Sequence, residues 1–118
     1  LAGILGFAGV TLGALGAHGR LHEALVAGGN LDHWRTAVLY HLVHAVALLA
    51  LAGWSQGWPK ARWTGWCWTA GVVLFSGSIY ALSLGAPKFI GPFTPLGGLA
   101  LLLGWALLAW NALRLPKA

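Results

Sequence analysis

A chain of 118 residues that is 58% hydrophobic and 8% charged, with a mean hydropathy of +0.75, departs far from soluble domains, in which about a quarter of residues are charged. Its formal charge of +5 comes from seven Lys and Arg residues against two acids, and these are scattered through connections and tail rather than gathered in a patch with interleaved aromatics, which excludes a nucleic-acid partner. The composition is that of an integral membrane protein.

Stretches free of charged residues run over 1–19, 36–59, 63–87 and 89–113. Each is as long as the roughly 20 residues a helix needs to cross the hydrocarbon at about 1.5 Å per residue. The pattern predicts an all-α, antiparallel four-transmembrane-helix bundle, one membrane domain over 1–118 with spans at about 1–18, 33–54, 65–86 and 95–113. Both termini and the 54–64 connection then share one side with Lys60, Arg62, Arg114 and Lys117, against Arg20, Arg35 and Lys88 opposite. That small excess places the termini in the cytoplasm.

The first span carries Gly3, Gly6, Gly9, Gly13 and Gly16 on one helical face. Small residues there admit a close neighbour, and Gly9 and Gly13 form a GxxxG pair, so helix packing at Gly9, Gly13 and Gly16 is preferred over a glycine-lined passage. No strand precedes these glycines, which excludes a dinucleotide-binding loop. The chain contains no Met, so an initiator residue is expected outside it and the first span is expected to be longer than shown. A cleaved signal peptide is not expected, because no basic region leads the segment. Cys67 is the single cysteine and allows no internal disulfide.

The first connection, "HGRLHEALVAGGNLDHW", is the most polar part of the chain. It predicts a short helix over 21–27 closed by Gly28 and Gly29, with Asp32 capping the second span. His18, His22, Glu23, Asp32 and His33 could supply nitrogen and oxygen ligands to a metal. Gly19 interrupts the helix that a spacing of four requires, so solvated loop residues are preferred and no metal is expected.

The second span opens with "TAVLYHLVHA" at 36–45. A helix starting near Asp32 puts His41 about 14 Å and His44 about 18 Å along it, near the midplane of a core about 30 Å thick. Thr36, Tyr40 and His44 fall on one stripe, with His33 at its outer end and His41 on its flank. Polar groups at this depth must face protein. The next connection holds Trp54, Trp58, Trp63, Trp66 and Trp68 around Lys60 and Arg62, an interfacial aromatic belt in preference to a carbohydrate platform.

On the third span Thr69, Ser76, Tyr80 and Ser83 share a face, within "LFSGSIYALS". Gly77 beside Ser76 is expected to admit the second helix, so that His44 and Tyr40 hydrogen-bond Ser76 or Tyr80, with Ser78 beside them. The connection "GAPKFIGPFTPLGG" ends in Thr94 and Pro95, an N-cap and first-turn pair for the fourth span. That span is rich in Leu, holds Gly97, Gly98 and Gly104, and has no titratable group.

"GALGAHG" at 13–19, "TAVLYHLVHAVAL" at 36–48, "LFSGSIYAL" at 74–82 and "GPFTPLGGL" at 91–99 resemble the small bacterial inner-membrane proteins of the YgdD/YwdK type, which have eukaryotic relatives. The resemblance runs over nearly the whole chain and includes His18, Tyr40, His44, Ser76, Gly77, Ser78, Tyr80, Thr94 and Pro95. It implies a four-span protein of the bacterial inner (plasma) membrane and carries no biochemical activity with it.

Haem needs a level pair of histidines on different helices, and none is evident. A His beside Ser or Tyr lacks an orienting carboxylate and an oxyanion site, so no catalytic residue is assigned. The sequence reads as a membrane protein without catalysis of its own and without cofactor, an accessory subunit of a membrane complex or a binder of lipid or a small hydrophobic ligand. Its expected partners are membrane lipid and a larger complex or a second copy. The alternative is proton or small-solute transport along the His, Tyr and Ser stripe between the second and third spans, although discontinuous helices and an inverted repeat are not evident.

Overall fold

The computed structural model describes residues 1–55 and 58–115. They form α1 (Ala2–Ala17), α2 (Gly19–Ala27), α3 (Leu31–Trp54), α4 (Ala61–Ser83), a single 3-10 turn (Lys88–Ile90) and α5 (Phe93–Leu113), with no strand among the described residues. Three helical segments, Leu31–Trp54, Ala61–Ser83 and Lys88–Leu113, are long and apolar enough to cross a membrane. α1 and α2 pass the same test only together, across a 69° bend, so the spanning segments number three, or four if the bent pair counts as one.

The bend has a local cause. His18 is extended (φ −140°, ψ 150°) and Gly19 takes φ +73°, a left-handed conformation that only glycine adopts without steric cost. α1 therefore stops after 16 residues, about 24 Å of rise. α2 ends in a Schellman arrangement in which Asn30 N–H bonds the Leu25 carbonyl and Gly29, at φ +70°, bonds that of Val26.

Two helix starts differ from the sequence expectation. Asn30, not Asp32, occupies the N-cap of α3, and its side chain makes no capping bond. Asp32 lies in the first turn, exposed, 3.9 Å from Arg35. Pro92 precedes α5, so Thr94 and Pro95 sit inside its first turn rather than capping it. Thr94 is thereby freed to bond another helix.

α5 packs along α4, α1 along α3, and α3 against α4 joins the two pairs. Glycine sets the distances. A Cβ on Gly9 would meet Leu42 at 2.7 Å and one on Gly13 would meet Val38 at 3.1 Å, while Gly16 receives the Trp34 indole. Between α4 and α5, Gly97 lies on the main chain of Leu74 and Phe75, Gly71 on Leu101, and Gly104 under the Trp68 ring. Gly77 does not play the part expected of it, because nothing lies within 4 Å of its Cβ position. The helices approach instead where Gly71 and Gly97 remove a side chain from the α4 and α5 surfaces.

The buried line of α3 runs Trp34, Ala37, His41, His44, Leu48 and Leu51, an alternation of three and four. The stripe expected from sequence is therefore rotated. His41 lies inside, 5% exposed, whereas Thr36 is exposed and Tyr40 is 42% exposed. α3 is gripped by α1 and α4 together, so its inward line bisects the two contacts, which periodicity along one helix cannot show. Trp68 likewise leaves the belt: at 2% exposure it packs in the core with Leu48, Leu51, Val72 and Leu101, while Trp54, Trp63 and Trp66 remain outside.

Candidate functional site

Halfway along α3, His44 is held at both ring nitrogens. Nδ1 lies 2.7 Å from the Tyr40 carbonyl, one turn earlier, and Trp105 of α5 donates its indole N–H to Nε2 at 3.0 Å. An indole nitrogen can only donate, so Nε2 accepts and the ring proton sits on Nδ1, where it donates to the carbonyl. His44 is a neutral imidazole in one tautomer. Trp68 and Trp105 each meet its ring edge-on at 6.0 Å and pack against each other at 4.6 Å, so α3, α4 and α5 interlock at one level.

The tyrosine contact expected of His44 is made by His41. Its Nδ1 lies 3.2 Å from the Tyr80 hydroxyl. Tyr80 packs on Trp34 at 4.7 Å, and Trp34 donates to the Leu12 carbonyl of α1 at 2.9 Å. Ser76 donates to the Ala37 carbonyl of α3 at 2.8 Å rather than to a histidine. Ser78 donates to Phe75 on its own helix at 2.9 Å and pairs with the Thr94 hydroxyl of α5 at 2.5 Å. Two of these cross-helix bonds, from Trp34 and Ser76, end on main-chain carbonyls. Removal of one such bond by Ser76→Ala is expected to lower stability in micelles by about 0.6 kcal/mol, the average for such bonds in lipid; a denaturant titration of the variant checks it.

Three buried polar atoms have no partner among the described residues: His41 Nε2, Thr64 Oγ1 and Trp68 Nε1. α1 covers the His41 ring edge, whose Cδ2 lies 3.4 Å from a Cβ position on Gly9. The main chain of Leu5 approaches the same ring without meeting hydrogen-bond geometry.

Beside the interlock, α3, α4 and α5 leave a groove of about 500 Å³ lined by Tyr40, His44, Phe75, Pro95, Gly98, Leu99, Leu101, Leu102 and Trp105, within the size range of small-molecule sites. Tyr40 forms one wall, its ring 4.8 Å from Phe75 and stacked on His44 at 6.3 Å. Its hydroxyl makes no hydrogen bond to the described residues, which leaves one polar handle on an apolar trough. With both His44 nitrogens engaged and no carboxylate in the lining, the groove holds no free base beside a nucleophile. It can hold an uncharged apolar molecule and hydrogen-bond one group on it.

The polar connection is not drawn together. His18 is exposed at the bend, and His22 donates to the Gly16 carbonyl at 3.0 Å, satisfying the end of α1. Glu23, Asp32 and His33 are exposed. Among the described residues no three His, Cys, Asp or Glu side chains gather as a ligand set. Sequence reasoning missed Trp34, Trp105 and Thr94 as members of the polar network. Trp105 carried a signal, since a tryptophan 12 residues into a helix of 21 is too deep for a belt and needs a partner for its N–H.

Comparison with known proteins places these residues among relatives. A family profile described as "Protein of unknown function (DUF423)" matches residues 12–98. The UPF0382 membrane protein YwdK of Bacillus subtilis (strain 168) is 40% identical over 108 residues, covering 89% of this chain and 86% of the relative. A UPF0382 membrane protein of Schizosaccharomyces pombe is 40% identical over 112 residues, covering 90% and 92%. One from Haemophilus influenzae is 37% identical over 115 residues, covering 97% and 91%. No solved structure matches.

Proposed function

The chain belongs to this family, the DUF423 or UPF0382 membrane proteins, and from that premise we propose that it is a four-span bundle, without catalysis of its own, that binds one small uncharged apolar ligand in the groove between α3, α4 and α5. The observation that carries the reading is the groove itself, apolar along its length and offering a single free hydroxyl, on Tyr40, at the level of the His44 interlock.

In this reading the bent pair of α1 and α2 is the first span and successive spans alternate in direction. Support comes from Leu1 and Ala2 lining one groove with Ser55 and Arg62, which brings the start of α1, the end of α3 and the start of α4 to one end of the bundle. Arg114 closes α5 at that end, and the proposal takes this cation-bearing end as the cytoplasmic one, in the bacterial inner membrane, as the bias of basic residues favours. Lys117, which adds to the same count, lies outside the described residues.

Native mass spectrometry of the full chain in mild detergent tests the reading. One apolar adduct per chain is expected. Tyr40→Phe should weaken it about tenfold, the worth of one hydrogen bond. Gly98→Leu should remove it, since the Cβ position there has only the Phe75 ring at 3.8 Å and a larger side chain enters the trough. A chain with no adduct, or an adduct that survives Gly98→Leu, refutes the proposal. A stoichiometric protein partner in the same spectrum would favour the accessory-subunit reading. Transport through His44 would require a nitrogen free to take up a proton, and both are engaged.

A further inference from the structure

A second groove, of about 380 Å³, opens at the other end of the core, between α1, α3 and α4. Leu48, Leu51 and Ala52 form its floor on α3, and Ser55, Trp58 and Arg62 stand at its mouth. From Ser55 back to Leu48 the trough follows about 10 Å of helix. Its mouth carries the residue pattern of a headgroup-level rim: Trp54 and Trp58 stack there at 5.8 Å and the Arg62 guanidinium rests over the Trp63 ring at 5.4 Å. No acidic residue lines it, and both acids of the chain, Glu23 and Asp32, belong to α2 and the start of α3. Among the described residues no carboxylate stands against the Arg62 cation above this apolar channel.

We propose that this groove is a binding site for one anionic phospholipid, its phosphate at Arg62 and Ser55 and an acyl chain laid along Ala52, Leu51 and Leu48. A soluble anion would use the mouth and leave the channel idle, and a zwitterionic lipid, whose ammonium offsets its phosphate, would gain less from Arg62 than an anionic one. The site is separate from the groove between α3, α4 and α5, and it stands or falls independently of the ligand proposed there.

The test titrates the purified full chain with phosphatidylglycerol and with phosphatidylcholine of the same acyl chains, counting bound lipids by native mass spectrometry. The first lipid bound should be phosphatidylglycerol, preferred about fivefold, as expected for one interfacial arginine. Arg62→Gln should bring the two lipids level, and Arg114→Gln should leave the preference intact. Ala52→Phe, at an exposed position that the fold tolerates, should weaken both lipids by filling the channel. Equal binding of the two lipids to the unaltered chain overturns the proposal, as does a preference that survives Arg62→Gln or binding that ignores Ala52→Phe.

Discussion

Gly97→Ala is expected to destabilise the chain by about 3 kcal/mol, at the upper end of overpacking effects, although it adds a single methyl group. The new Cβ would fall on the main chain of Leu74 and Phe75 in α4. No rotamer change relieves a clash with backbone, so α5 must move away from α4 along its length. In lipid that separation is costly, because close packing replaces the hydrophobic force that holds helices together in water. Every cross-helix feature between α4 and α5 depends on the same approach, including the Ser78 to Thr94 bond and the Trp68 to Trp105 contact. Gly77→Ala is the control. It lies on α4 with nothing within 4 Å and should change stability by no more than about 0.5 kcal/mol. Reversible unfolding in mixed micelles, followed by tryptophan fluorescence, compares the two variants. A Gly97→Ala chain as stable as Gly77→Ala would show that α4 and α5 do not meet backbone to backbone.

That contrast marks where the sequence could be read and where it could not. The apolar stretches and the turn at Gly28 and Gly29 follow from local chemistry, and the observed helices lie close to the expected ones. The membrane class and the family are legible from composition and from four ordered motifs. Glycine by itself does not say which neighbour it admits. Gly77 and Gly97 look alike along the chain, yet one faces open space and the other a second backbone, because helix rotation is decided by three-body contact. The same limit moved His41 inward and Tyr40 outward. Bonds from Ser76, Trp34 and His44 to main-chain carbonyls were invisible for another reason: every residue carries that acceptor, so no side-chain pattern announces it. The indole partner of His44 lay in the Leu-rich last span, where the absence of a titratable group hid a donor that never titrates.

The pairing of His44 with Trp105 makes the second strong prediction. Trp105→Phe keeps an aromatic ring against Trp68 but removes the donor that, among the described residues, alone reaches Nε2 of a histidine that is 3% exposed. A buried acceptor without a partner costs about 1–3 kcal/mol, so the variant should lose about 2 kcal/mol. His44→Phe should lose a similar amount, since it strands the indole N–H and discards the bond to the Tyr40 carbonyl. The double variant removes both partners together, and the penalty of a stranded group disappears. Its loss should therefore fall short of the sum of the single losses by about 1 kcal/mol, within the range of coupled neighbours. Nitrogen-15 chemical shifts of His44 supply a readout that packing alone would not move. The unaltered chain should show the proton on Nδ1, because an indole can only donate to Nε2. A proton found on Nε2, or strictly additive losses in the cycle, would show that the interlock of α3 and α5 does not rest on this bond.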